Sequence, residues 1–169
     1  MVETKELTPL ETVLRSYQRY YDIERENPAK PFSAEATFQT NDEAYFLIKS
    51  ARIAESQSKE FVFFAEEEML DEAKLEKLDA IAWETGISRV KPHKDHRNSD
   101  ITLVILAGQV TEGAKKKVKK LKHYKSYKYG FQGWSHYKLI VLEIHSATAT
   151  YNRQGCELKK LYDNIVKTF

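Results

Sequence analysis

Two stretches of the 169-residue chain hold residue types that do chemistry. The first is Lys91-Pro92-His93-Lys94-Asp95-His96-Arg97-Asn98-Ser99-Asp100. Two imidazoles with aspartates alongside are the side chains that coordinate zinc or another transition metal. Held by His93, His96 and Asp100, such a metal would activate water for phosphodiester hydrolysis. A catalytic zinc usually takes three protein ligands, and no helical His-Glu-x-x-His frame is present to fix them. A solvated polar loop accounts for the same residues. The second stretch runs Tyr124-Lys125-Ser126-Tyr127-Lys128-Tyr129-Gly130-Phe131-Gln132-Gly133-Trp134-Ser135-His136-Tyr137-Lys138. Aromatic rings interleaved with cations can stack bases or sugars while holding phosphates. An edge strand whose lysines discourage edge-to-edge pairing has the same pattern.

Between them lies Lys115-Lys116-Lys117-Val118-Lys119-Lys120-Leu121-Lys122. Val118 and Leu121 tie this run to a core, so it reads as a folded helix with six outward lysines. Eight lysines between 115 and 128 have no acid among them, and their mutual repulsion favours an acidic or phosphate-rich partner. The lone Cys156 opens the last predicted helix, where the dipole could favour a thiolate, although a lone thiol there is more often a small packing residue. No Gly-rich phosphate loop, G-x-S-x-G elbow or kinase set occurs, and no cofactor is implied.

The elements that position these residues follow from periodicity. Thr8-Pro9-Leu10-Glu11 is a capping box with Pro at the first helical position. Leu10, Val13, Leu14, Tyr17 and Tyr21 make one apolar stripe, and Asn27-Pro28-Ala29-Lys30-Pro31 ends the helix. Three strand-like segments follow: 34–40, 45–54 and the apolar run 61–65. Together they read as an antiparallel meander, although Asn41 could instead cap a helix over 44–54. A helix over about 71–85 begins in acids from Glu66 onward that complement its dipole, and Gly86 caps its end. A strand over 101–107, the lysine helix from 113 to about 123, a strand over 134–144 and a helix over 157–167 complete the order. Residues 124–130 could form an extra strand hairpinned through Phe131-Gln132-Gly133. The expected fold is one α+β domain over 1–169. It has a mixed sheet with an N-terminal antiparallel meander and packed helices, in the order α-β-β-β-α-β-α-β-α.

If the lysine helix joins the strands at Ile101 and Leu139 as a parallel crossover, their N-terminal ends share one sheet edge. Lys91, His93, His96, Arg97 and Asp100 then approach Lys128, Trp134, Ser135 and His136, with Asn152 and Arg153 close by. Two considerations oppose this meeting. Ligands of open parallel sheets usually sit at the carboxyl ends of strands, and a hairpin could reverse the last strand.

The front of this order, over roughly residues 9–107, resembles the core of the PD-(D/E)xK nuclease superfamily. That resemblance implies an acid on one strand and Glu/Asp-x-Lys on the next. Lys49 lacks the acid two positions before it, and Glu60 lacks the lysine two positions after it. Across most of its length the chain also resembles an uncharacterised family of small bacterial cytosolic proteins. The stretches that carry this are Glu43-Ala44-Tyr45-Phe46-Leu47, Glu60-Phe61-Val62-Phe63-Phe64, His96-Arg97-Asn98-Ser99-Asp100, Lys125-Ser126-Tyr127 and Gly133-Trp134.

Composition bounds the rest. A chain of this length with 41% hydrophobic residues can bury a full core, and one Cys excludes a disulfide framework. The charged start at Met1-Val2-Glu3 is not that of a signal peptide, and no stretch is apolar enough for a membrane helix; a cytoplasmic location is expected. The net charge of +2 averages two halves, with 19 acids and 10 bases in 1–85 against 6 and 17 in 86–169. The leading expectation is a non-enzymatic binding protein facing nucleic acid or an acidic protein. Its surface would comprise Lys91, Arg97, Lys115, Lys116, Lys119, Lys125, Lys128, Trp134, His136 and Arg153. The alternatives are a metal-dependent hydrolase at His93, His96 and Asp100, and an oligomer assembled by its opposite charges.

Overall fold

The computed structural model describes residues 6–38 and 57–169. Helix α1 (Pro9–Tyr17) begins as its capping box requires, the Thr8 hydroxyl accepting from the Glu11 amide (3.2 Å) and the Glu11 carboxylate from the Thr8 amide (2.9 Å). Leu10, Val13, Leu14 and Tyr17 are buried. The helix stops at Tyr17, short of the predicted stripe, because Tyr21 opens strand β1 (Tyr21–Glu24) instead. The pairing of β1 with β2 (Ala34–Phe38), Tyr21 opposite Phe38, is a non-local contact that outweighs helical spacing.

Strand β2 continues antiparallel onto β3 (Gln57–Leu70). The segment 44–54, read as strand or helix, lies outside the described residues. Strand β3 is nearly three times the predicted run 61–65 and takes in Glu66, Glu67 and Glu68, which the sequence reads as a helix start. Its ladder with β4 (His96–Val110) continues to Leu70 opposite Val110, so these acids satisfy their backbone groups in the sheet. Helix α2 (Glu72–Arg89) is capped by Asp71, whose carboxylate accepts from the Lys74 amide at 2.8 Å. Gly86 is inside this helix and not its cap. A Cβ there would stand 2.5 Å from Ile101 Cγ1, so glycine permits the close approach of α2 to β4.

Most of the predicted His93–Asp100 loop belongs to β4. Helix α3 (Glu112–Val118), capped by Thr111, is shorter than predicted. Then come β5 (Tyr124–Ser126), a 3-10 turn (Lys128–Gly130), β6 (Trp134–Glu143) and a strand not foreseen, β7 (Thr148–Tyr151). A 3-10 turn (Gly155–Leu158) leads into α4 (Lys159–Ile165), whose Tyr162 is buried and whose Leu161 is exposed.

The sheet order is β1-β2-β3-β4-β6-β5, with β7 also pairing β6; β3, β4 and β6 run parallel and the remaining pairs antiparallel. This is an α+β fold with a mixed open sheet of seven strands among the described residues. Odd-numbered positions such as Phe61, Phe63, Ile101, Leu103 and Tyr137 pack under α2 and α3. Even-numbered positions such as Val62, Phe64, Val104 and Ile140 pack under α1 and α4. That parity decides where each polar side chain of β3, β4 and β6 points.

Candidate functional site: the β5–β6 hairpin and its surroundings

The parallel crossover from β4 to β6 brings the two sequence segments together. Asn98 stands opposite Trp134, and β6 keeps its direction although β5 is hairpinned onto it. His96 is 5% exposed. Its Nδ1 lies 2.6 Å from the Gln132 carbonyl and its Nε2 2.9 Å from Ser99 Oγ. A carbonyl only accepts, so Nδ1 carries the proton and the Ser99 hydroxyl donates to Nε2. Both ring nitrogens are therefore occupied by bonds that clamp the hairpin to β4. His93 lies beside it, ring centroids 6.1 Å apart, and accepts from the Asp95 amide at 3.2 Å. Asp100 points to the other face of the sheet, where Lys138 takes it. The three proposed ligands do not share one site.

The hairpin turns most of its aromatic rings outward. Tyr129 is 100% exposed, Phe131 84%, Tyr124 62% and Trp134 37%. Tyr127 anchors them from below: buried, bonded to Ser135 Oγ at 2.9 Å and edge-on to the His96 ring. The tip closes through the Tyr127 amide to the Gly133 carbonyl (2.9 Å) and the Gln132 amide to the Tyr127 carbonyl (3.1 Å). Lys128 (φ 44°) and Tyr129 (φ 56°) both adopt left-handed backbone, a cost of about 1 kcal/mol or more each for residues with a Cβ. Gly133 (φ 79°) is required, because a Cβ there would meet the Arg97 carbonyl. On one face of β5 and β6, Tyr124, His136 and Trp134 form a row of rings, with centroids 5.4 and 6.4 Å apart. Lys122, Lys125, Lys128 and Arg97 are exposed around them.

The lysine run is less uniform than its sequence suggests. Lys115 reaches Glu143 (2.8 Å) and Glu112 (3.4 Å), and Lys117 pairs with Glu76 of α2. The eight lysines are thus partly compensated by acids that only the fold brings near. Lys116 and Lys119 remain exposed on α3, Lys91 precedes β4, and Arg153 follows β7. For Glu143, burial pushes the carboxyl up. Bonds from Lys115, Ser146 and the Val110 amide outweigh that effect and hold it at about 2. A carboxyl depressed from 4.5 stabilises the fold above that value and loses the contribution as pH falls towards 2. Glu143→Gln is therefore expected to remove roughly 2–3 kcal/mol at pH 7 and to flatten the acid limb of a urea-unfolding series over that window. An unchanged limb would show that the Lys115 bridge is solvated away.

The sequence reading missed the residue at the centre of the sheet. Lys138 is 9% exposed on the even face of β6. Its Nζ is 2.9 Å from Asp100, 3.3 Å from Glu157 and 4.0 Å from Glu60. Thr102 donates to Glu60 at 2.6 Å, and the Tyr21 hydroxyl donates to the other Glu60 oxygen. Burial pulls the Lys138 ammonium pKa down, but the charges of Glu60, Asp100 and Glu157 overcome this and raise it. Burial and then the Glu60 charge push the Tyr21 phenol well above its ordinary range. A lysine held protonated among carboxylates is no nucleophile; it cross-links β3, β4, β6 and the approach to α4. The available signal was one lysine preceding the apolar run Leu139–Leu142.

A second pair joins the buried Asp79 of α2 to the half-buried His123 (2.8 Å), with Trp83 stacked on the imidazole. Asp79 Oδ1 and the Tyr137 hydroxyl form no well-aligned hydrogen bond among the described residues, and burial followed by the Asp79 charge pushes the Tyr137 phenol well above its ordinary range. Asn152, placed near the cluster by the sequence, is internal: it bonds Leu139, Gly155, Leu121 and Tyr137. A groove of about 740 Å3 between α1 and β1 is lined by mixed charges such as Glu11, Arg15, Asp22 and Arg25, and concentrates no chemistry.

No helix among the described residues is long and apolar enough to cross a membrane. Comparison with curated proteins and with solved structures gives no match. A family model does match, over residues 5–164, and the chain therefore belongs to the family described as a domain of unknown function, DUF8052.

Proposed function

We propose that the protein is a binding protein for single-stranded nucleic acid, with bases stacked on the β5–β6 hairpin and phosphates held by the cations around it. One observation carries the reading: Tyr129 and Phe131 stand almost wholly in solvent on a turn that spends backbone energy to hold them there. Neither ring contributes to the core, and a strained loop that presents apolar surface is a site of recognition more often than of packing. Lys122, Lys125 and Lys128, exposed and interleaved with the rings along the chain, supply the charge a phosphate backbone needs. Hairpin clamping through His96, Ser99 and Tyr127 pre-organises the rings, which lowers the ordering cost of binding.

The test is fluorescence anisotropy with labelled oligothymidylate and with a single-stranded RNA of equal length. Stacking contributes about 1–3 kcal/mol per base, so removing both rings in Tyr129→Ala/Phe131→Ala is expected to weaken binding by about thirtyfold or more. Circular dichroism and the unfolding midpoint should stay unchanged, because both rings are exposed. If about three phosphates are neutralised, raising salt from about 50 to 200 mM weakens binding roughly twentyfold. Salt-sensitive binding that survives loss of both rings would replace this reading with an acidic protein partner. No binding at low salt would end it.

A further inference from the structure

A cleft of about 440 Å3 opens between the C-terminal end of α3, β7 and the turn into α4, lined by Lys119, Thr150, Tyr151, Arg153, Cys156 and Lys159 among others. We propose that this cleft binds a phosphomonoester, with Lys119 and Arg153 on the phosphate and the organic body against Tyr151 and Ala149.

Three cations border the cleft, and no carboxylate lines it. Lys159 is partly spent, on Asp163 at 2.5 Å and over the Tyr151 ring at 5.3 Å. Lys119 and Arg153 form no ion pair with any described residue. Two like charges facing one cleft repel each other, and an anion between them removes that cost. A guanidinium offers a planar fork that matches two phosphate oxygens, while an ammonium supplies a point charge to the third.

The position of Arg153 is set by the rigid backbone on either side. Asn152 before it makes four hydrogen bonds, two of them accepted by its carbonyl oxygen from the Leu139 and Gly155 amides. Asn152 therefore shapes the cleft without being free to bind a ligand. Ala149 and the Tyr151 ring form an apolar floor that a bare inorganic ion would leave uncovered. The Tyr151 hydroxyl is already engaged, donating to Asp163 at 2.7 Å. Cations above an apolar floor suit an ester of phosphate better than phosphate itself. Such a group could come from a small metabolite or from the 5′ end of a nucleic-acid strand. The site shares no residue with the exposed hairpin rings and does not depend on them.

Cys156 is the single cysteine of the chain and is exposed in the cleft, so its alkylation by iodoacetamide reports occupancy. Phenyl phosphate at ten times its dissociation constant is expected to slow alkylation about tenfold by mass action. Arg153→Gln should raise the concentration for half-protection about tenfold or more, as loss of a charge-assisted contact requires. Arg97→Gln, outside the cleft, and Tyr129→Ala/Phe131→Ala should leave protection unchanged. A 5′-phosphorylated trinucleotide and its 5′-hydroxyl counterpart distinguish the two sources. Protection by the phosphorylated strand supports a strand end, and protection by phenyl phosphate alone supports a metabolite. The proposal is overturned if none of these phosphates protects, if phenol protects equally, or if Arg153→Gln is protected like the wild type.

Discussion

Asn152→Ala is expected to cost about 3–5 kcal/mol of stability, since a net hydrogen bond contributes about 1 kcal/mol and this side chain makes four. The carboxamide oxygen accepts from the Leu139 amide (3.0 Å) and the Gly155 amide (2.7 Å). Its nitrogen donates to the carbonyls of Leu121 (3.1 Å) and Tyr137 (3.0 Å). The residue is 1% exposed, so alanine would leave two amides and two carbonyls without their partner. Four chain segments lose their common tie: the stretch after α3, strand β6, the end of β7 and the turn into α4. Asn152→Asp keeps the shape but cannot donate to two carbonyls, and it buries a charge; it should be at least as damaging. Urea and thermal unfolding read both, with a midpoint shift of about 10 °C expected for a chain of this size. A loss under about 1 kcal/mol for Asn152→Ala would mean that water replaces all four bonds.

Lys138→Met is the second large effect. Methionine matches the volume but removes the one cation that pairs with Glu60, Asp100 and Glu157 among the described residues. Breaking a buried ion pair from one side costs about 3–5 kcal/mol, because the remaining charges are left desolvated and repel each other. Glu157 is well exposed and contributes little, so the cost arises at Glu60 and Asp100, register partners on β3 and β4. Adding Asp100→Asn to Lys138→Met should therefore recover part of the loss. This is a coupling of opposite sign to additivity and is measurable in a double-mutant cycle. If the second substitution deepens the loss instead, repulsion between the two carboxylates is not what Lys138 relieves.

The contrast between these two residues shows what local pattern can reveal. The capping box at Thr8–Glu11, the continuous apolar strands and the hairpin at Phe131-Gln132-Gly133 were legible because each is a short-range rule of backbone donors, periodicity or turn geometry. The approach of His96 to the hairpin also followed, through the right-handed crossover rule for parallel strands. Lys138 and Asn152 were not legible as hubs. Their partners lie on four different elements, and a lysine or asparagine has the same local signature whether it is solvated or fully bonded. The length of β3 was misread for the same reason: Glu66–Glu68 look like a helix start until the β4 ladder claims them. The lysine run looked uncompensated because Glu76 and Glu143, its acids, are far along the chain.

Periodicity and end signals by themselves determined an α+β chain with a basic second half and a Tyr/Lys-rich hairpin. Only the tertiary structure decided which of these groups are spent and which remain available. It committed His96, Asp100, Lys115 and Lys138 to internal bonds, and it left Tyr129, Phe131, Lys119 and Arg153 facing solvent. The physical reason is that strand parity and register assign each side chain to a face. A polar group becomes structural when that face buries it, because an unpaired group there costs more free energy than a bond to a neighbour returns to water.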